Sequence, residues 1–171
     1  LKQTIEKDLT MPSDPMTSAD LQQSIDARHI EATIIPLGGH TSTVSDAARE
    51  LGVDTDQIIK SLVFMAADKP LLVINNGTAR VNPKKLAKIL GVGRKKVKFA
   101  DADKALTITG YVVGSMPPFG HRQKLRTLVD RAVIRLDRIF GGGGDINAMM
   151  RLTPTELLRV TEAEIVDVSE S

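Results

Sequence analysis

Residues 58–65, Ile-Ile-Lys-Ser-Leu-Val-Phe-Met, are the most strand-like segment of the chain. β-Branched and aromatic side chains suit a pleated, partly buried surface, so this segment commits the chain to a sheet. A second apolar run, 71–74, follows after Asp68-Lys69-Pro70, the composition of a hairpin connection.

Around that hairpin the sequence divides into short elements. Thr17 or Ser18 caps a helix reaching about residue 28, with Leu21 and Ile25 one turn apart. Thr43 opens a second helix that Gly52 closes, and Asn82 with Pro83 opens a third that Gly91 closes. Asp101 or Asp103 opens a fourth, which stops near Gly110. Thr153-Pro154-Thr155-Glu156 reads as a capping box before a helix over 153–160. Short strands are expected over 31–37, 97–100 and 164–168, with a helical turn over 54–57. Asn75-Asn76-Gly77 reads as a turn, and 141–144 as a break of four glycines. Between 121 and 140, Leu125, Leu128, Val129, Val133 and Leu136 fit a helical stripe slightly better than a strand; residues 133–136 also fit a strand, with Asp130-Arg131 as its turn. Residues 1–16 lack periodicity and are expected to be an N-terminal extension. Residues 17–171 contain no repeat or linker and are expected to form a single domain.

Composition removes several chemistries. The chain has no Cys, which excludes thiolate catalysis and Cys-built zinc sites, and its 3 His have no ligand-like spacing. No phosphate loop, dinucleotide fingerprint or nucleophile elbow is present. No metal and no cofactor is expected. The sequence contains neither a signal-peptide pattern nor an apolar run long enough for a bilayer, so a soluble, cytoplasmic protein is expected. Aromatic residues make up only 3%, which argues against a surface that stacks many bases.

The net charge is only +2, but its distribution is uneven. No Asp or Glu occurs between Asn76 and Ala100, a stretch that carries Arg80, Lys84, Lys85, Lys88, Arg94, Lys95, Lys96 and Lys98. A second basic run extends from His121 to Arg138. Such segments build either a solvated lysine-rich face or a surface for a polyanion.

Two features need a reason of their own. Lys60 interrupts an apolar strand, where its ammonium either snorkels to the strand edge or is aimed into a site. Ser61 does not form a dyad with it, because adjacent strand residues point to opposite faces. Residues 110–121, Gly-Tyr-Val-Val-Gly-Ser-Met-Pro-Pro-Phe-Gly-His, describe a rigid loop. It is either an ordinary surface loop or one that binds an oxyanion or carbonyl through main-chain donors.

The Lys60 strand, this loop, and Arg151-Leu152-Thr153-Pro154-Thr155-Glu156-Leu157 occur in an order that resembles the YbaK family, the prolyl-tRNA synthetase-associated editing domains. The resemblance covers roughly residues 18–168. It implies a mixed α/β (α+β) fold, a curved, largely antiparallel sheet with helices packed outside, and makes 121–140 mostly strand and turn. The implied activity is hydrolysis of the ester of mischarged tRNA, with alanyl- or cysteinyl-charged proline tRNA favoured. Lys60 matches the family's key lysine and Gly114 to Pro118 its G-x-x-x-P loop. The implied catalytic set is Lys60 with Gly114, Ser115 and Met116, whose backbone donors would bind the oxyanion. The implied substrate contacts are Pro117, Pro118, Gly120, His121, Gly142 and Gly143, with His121 equally readable as a loop-surface residue. Lys84, Lys85, Lys88, Arg94, Lys95 and Lys96 are expected to meet tRNA. No synthetase catalytic domain is apparent, so editing is expected in trans, with prolyl-tRNA synthetase as a further partner. A non-catalytic tRNA- or nucleotide-binding module of the same fold is the alternative, and a protein-docking adaptor is a third reading.

Overall fold

A computed structural model describes residues 14–39, 41 and 43–171, so most of the expected N-terminal extension lies outside the described residues. The elements are α1 (Ser18–Ala27), β1 (Thr33–Pro36), α2 (Val44–Leu51), β2 (Ile59–Ala66), β3 (Lys69–Asn76), α3 (Pro83–Leu90), β4 (Val97–Phe99), α4 (Ala102–Thr109), β5 (Arg126–Asp130), α5 (Arg131–Ile134), β6 (Ile139–Gly142), β7 (Ala148–Leu152), α6 (Pro154–Thr161) and β8 (Glu164–Val166). They form a mixed α/β fold with two sheets. The larger has the order β4-β2-β3-β5-β8, and the smaller is β1-β7-β6. All pairings are antiparallel except β3–β5 and β5–β8. Among the described residues, one isolated parallel bridge, Ile58 to Phe140, joins the two sheets.

The local signals fold as their chemistry dictates. The Thr17, Thr43, Asn82, Asp101 and Thr153 side chains each accept a first-turn amide. Gly52, Gly91 and Gly110 end their helices in the left-handed region. Glu156 turns its carboxylate away from a capping box: it accepts the Glu31 amide at 2.7 Å and pairs with Arg159.

Four further expectations fail. The hairpin turn is Ala67-Asp68, both at positive φ, the geometry a two-residue loop needs to match strand twist. Lys69 and Pro70 therefore belong to β3, and so do Asn75 and Asn76, which pair with Lys60 and Ile59. Residues 121–140 are not the one helix their apolar stripe suggests but β5, the single turn α5, and the start of β6, in line with the strand and turn that the family resemblance implies. Gly141 and Gly142 lie in β6 rather than in a break.

The core explains the third failure. Along β3, Leu72 and Ile74 face one apolar cluster, together with α1, α6 and β7. Leu71 and Val73 face another, beneath Leu86 and Ala87 of α3. β5 divides in the same way, with Leu128 on the α3 side and Val129 on the other. Strands covered on both faces lose the polar alternation that marks a strand. Fully burying each such leucine or valine contributes about 1.5–3 kcal/mol. Among the described residues, no helix is long and apolar enough to cross a membrane.

Candidate active site

Strand alternation puts Lys60, Leu62 and Phe64 on the α3 side of β2. Lys60 and Leu62 line a cleft of about 190 Å³ at the start of the strand. Val113, Gly114 and Met116 of the 110–121 loop and Gly142 of β6 line it as well. Lys60 is half-buried, and its ammonium donates to the Ala79 carbonyl. Asn75, its partner across the β2–β3 ladder, donates Nδ2 to the same carbonyl at 2.9 Å. Burial pushes the Lys60 amine below the ordinary lysine range, and the positive charge of Arg80 adds to this. Asn75 is fully buried, and its Oδ1 meets no partner among the described residues.

The loop is clamped from two sides. The Ser115 amide donates to the Val112 carbonyl at 3.0 Å, and its Oγ to the same oxygen at 2.8 Å. The Ser115 carbonyl accepts the Gly144 amide at 2.9 Å. A Cβ on Gly142 would stand 2.2 Å from the Met116 carbonyl oxygen, so β6 approaches this closely only as glycine. Farther along the loop, His121 Nε2 donates to the Pro117 carbonyl at 2.8 Å. Burial lowers the imidazole's proton affinity more than this bond raises it.

The structure thus lines one cleft with Lys60, Gly114, Met116 and Gly142, and the other expected catalytic and substrate-contact residues do not line it. The Ser115 amide is already committed within its turn. Those of Gly114 and Met116 donate to nothing among the described residues. Pro117 is buried, with its carbonyl held by His121. Pro118, Gly120 and His121 line a different cavity, of about 280 Å³, walled also by Arg28 and Lys124. That cavity is larger, but its cations are engaged: Arg28 with the Val160 carbonyl and Lys124 with Glu162. Gly143 packs on Ala148, and its carbonyl accepts Ser18 Oγ at 2.7 Å.

Of the basic residues, Lys84, Lys88, Arg94, Lys95 and Lys96 are exposed. Lys85 instead pairs with Asp167 at 3.1 Å and donates to the Ser169 carbonyl. The sequence flags neither Val113 as a cleft residue nor Asn75 as the buried amide beside Lys60. Asn75 hid inside an apparent turn signal, and Val113 carried no polar signal at all. No group of three or more His, Asp or Glu among the described residues could hold a metal ion.

Residues 39–160 match the family model described as an aminoacyl-tRNA editing domain. An uncharacterised protein of Bacillus subtilis (strain 168), YwhH, is 29% identical over 130 residues, which are 75% of this chain and 81% of that protein. The proline–tRNA ligase of Streptococcus pyogenes serotype M1 is 30% identical over 132 residues, 77% of this chain but only 21% of the ligase. This chain therefore matches about a fifth of the length of that ligase. The crystal structure of a candidate trans-editing enzyme for prolyl tRNA synthetase superposes with a TM-score of 0.83 at 28% identity, covering 90% of this chain and 97% of the other.

Proposed function

From the premise that this chain belongs to the aminoacyl-tRNA editing domain family, we propose that it is a deacylase that hydrolyses the ester of mischarged tRNA in trans. The observation that carries this reading is one cleft lined by Lys60, Gly114, Met116 and Gly142, with the Gly114 and Met116 amides donating to nothing among the described residues.

An aminoacyl ester is already activated, so hydrolysis needs no protein nucleophile. A water adds to the carbonyl carbon, and the acyl–oxygen bond to the terminal ribose breaks. The products are the free amino acid and a tRNA with its ribose hydroxyl restored. The Gly114 and Met116 amides are the donors available to the developing oxyanion, since the Ser115 amide is committed to Val112. Removing one such donor typically costs about 10²–10³ in kcat. Lys60 anchors the terminal adenosine or the carbonyl region by charge-assisted hydrogen bonds, and the neighbouring ribose hydroxyl positions the water. Lys84, Lys88, Arg94, Lys95 and Lys96 supply the phosphate-facing charge, whereas Lys85 is neutralised by Asp167. The matching ligases support proline tRNA as substrate and prolyl-tRNA synthetase as partner, and we assign the activity to the cytoplasm. The family resemblance supports alanine or cysteine as the mischarged residue. We assign the activity to a single domain over 17–171.

The test is ester loss from alanyl-, cysteinyl-, seryl- and prolyl-charged proline tRNA, with Lys60→Ala alongside. One mischarged ester should be cleaved, prolyl-tRNA spared, and Lys60→Ala should be slower by at least about 100-fold. Binding of tRNA without cleavage of any ester would leave the non-catalytic module instead.

A further inference from the structure

Phe99 is out of place for a packing residue. It is 59% exposed, while the other three phenylalanines and the tyrosine are buried. It sits on β4, the outer strand of the larger sheet, where an exposed apolar side chain is a liability. Its ring is nevertheless held in place. Phe99 pairs directly with Phe64 across the β2–β4 ladder, the two rings edge to face with centroids 5.2 Å apart.

Its surroundings select the partner. Paired residues lie on the same sheet face, and Phe64 shares that face with Leu62 and Lys60 of the cleft. Four residues of strand rise separate Lys60 from Phe64, about 13 Å, which is the reach of a few unpaired nucleotides. The turn Arg94–Lys96 leads straight into β4, all three residues are exposed, and no acidic residue precedes Phe99 as far back as Asn76. The next acid, Asp101, is turned to the Lys104 amide at 2.8 Å.

We propose that Phe99 is the stacking platform for an unpaired base upstream of the terminal nucleotide of the tRNA 3′ single strand. The basic turn beside it takes the adjoining phosphates. One aromatic face with flanking cations is the minimal form of single-strand recognition, and it is tolerant of sequence because every base has a π-face. The proposal rests on the deacylase reading for the direction of the strand, since it places the 3′ end at Lys60.

Two fluorescent RNA hairpins test it, one blunt and one with a short single-stranded 3′ extension. Wild type should prefer the extended hairpin. Phe99→Ala and Phe99→Leu should weaken binding of the extended hairpin about 5- to 100-fold while leaving the blunt one unchanged. Phe99→Trp should bind as wild type does, which separates stacking from a change in folding. Equal binding of the extended hairpin by Phe99→Ala and wild type, equal loss on both hairpins, or no preference in wild type would overturn the proposal. The Lys60→Ala ester assay runs in parallel. A normal rate there with a Phe99 defect here discards the cleft assignment and keeps the platform. The reverse pattern keeps editing and discards the platform.

Discussion

The Lys60 ammonium is half removed from water and shares its neighbourhood with the Arg80 guanidinium, so holding it charged works against the fold. The Ala79 carbonyl is its fixed acceptor, and Asn75 would still satisfy that oxygen if Lys60 were replaced. Lys60→Met keeps the apolar stem and removes the charge. Its melting temperature should equal or exceed that of wild type, while deacylation falls at least about 100-fold; a large drop in melting temperature would make Lys60 structural instead. The pH dependence has a definite sign. The folded pKa of Lys60 is below its unfolded value, so the folded state binds fewer protons between the two, and stability rises with pH across that window. Activity that requires the ammonium falls over the same rise. Melting curves and kcat/KM against pH for wild type and Lys60→Met should show both trends, with the wild-type stability gain missing from the variant.

Between elements, β6 approaches the loop closely at Gly142. At Gly142 the Met116 carbonyl occupies the space of a Cβ, whereas at Gly114 nothing lies within 4 Å but φ is +97°. The two glycines are required for different reasons, one for space and the other for conformation. Gly142→Ala must push the loop away from β6 and should cost about 1–3 kcal/mol. Gly114→Ala keeps the packing and carries only the left-handed penalty, about 1–2 kcal/mol. Urea unfolding with parallel ester assays should show both variants destabilised. Restoring their stability with a stabilising solute should not restore the activity of Gly142→Ala, because the Met116 amide will have moved.

Over the whole molecule, Asp130 ties the chain's C-terminal end to the cleft. At the end of β5 its buried carboxylate caps α5 through the Ala132 amide at 2.9 Å and accepts the Val168 and Ser169 amides, both at 3.0 Å. Ser169 in turn accepts Asn75 Nδ2 at 3.4 Å, and the Glu170 amide donates to the Arg80 carbonyl at 2.7 Å. The segment that presents the Ala79 carbonyl to Lys60 is thus buttressed by the last residues of the chain. Burial raises the Asp130 carboxyl's proton affinity, but these donors outweigh it and hold the pKa below the ordinary carboxylate value. Its stabilisation is therefore present above the unfolded pKa and lost as pH falls through the folded one. Asp130→Asn should cost about 1–3 kcal/mol at pH 7 and flatten the acid limb of melting temperature against pH; an unchanged acid limb would remove Asp130 from this role.

What the sequence determined by itself was local. Helix starts at Thr17, Thr43, Asn82, Asp101 and Thr153 were legible because a cap is a bond between residues two or three positions apart. Lys60 was legible as an anomaly, since a charge within an apolar strand stands out against its immediate neighbours. The tertiary structure decided everything that depends on which surfaces meet. It split the apolar run of β5 between two cores, which is why Leu125, Leu128, Val129 and Val133 mimicked one helical stripe. It carried β3 through Asn75 and Asn76, and so put a buried amide opposite Lys60. It also divided the expected site residues, leaving Gly114 and Met116 at the cleft and turning Pro118, Gly120 and His121 to a separate cavity. These outcomes follow from strand register and from the approach of distant backbone, and neither is encoded in the spacing of neighbouring residues.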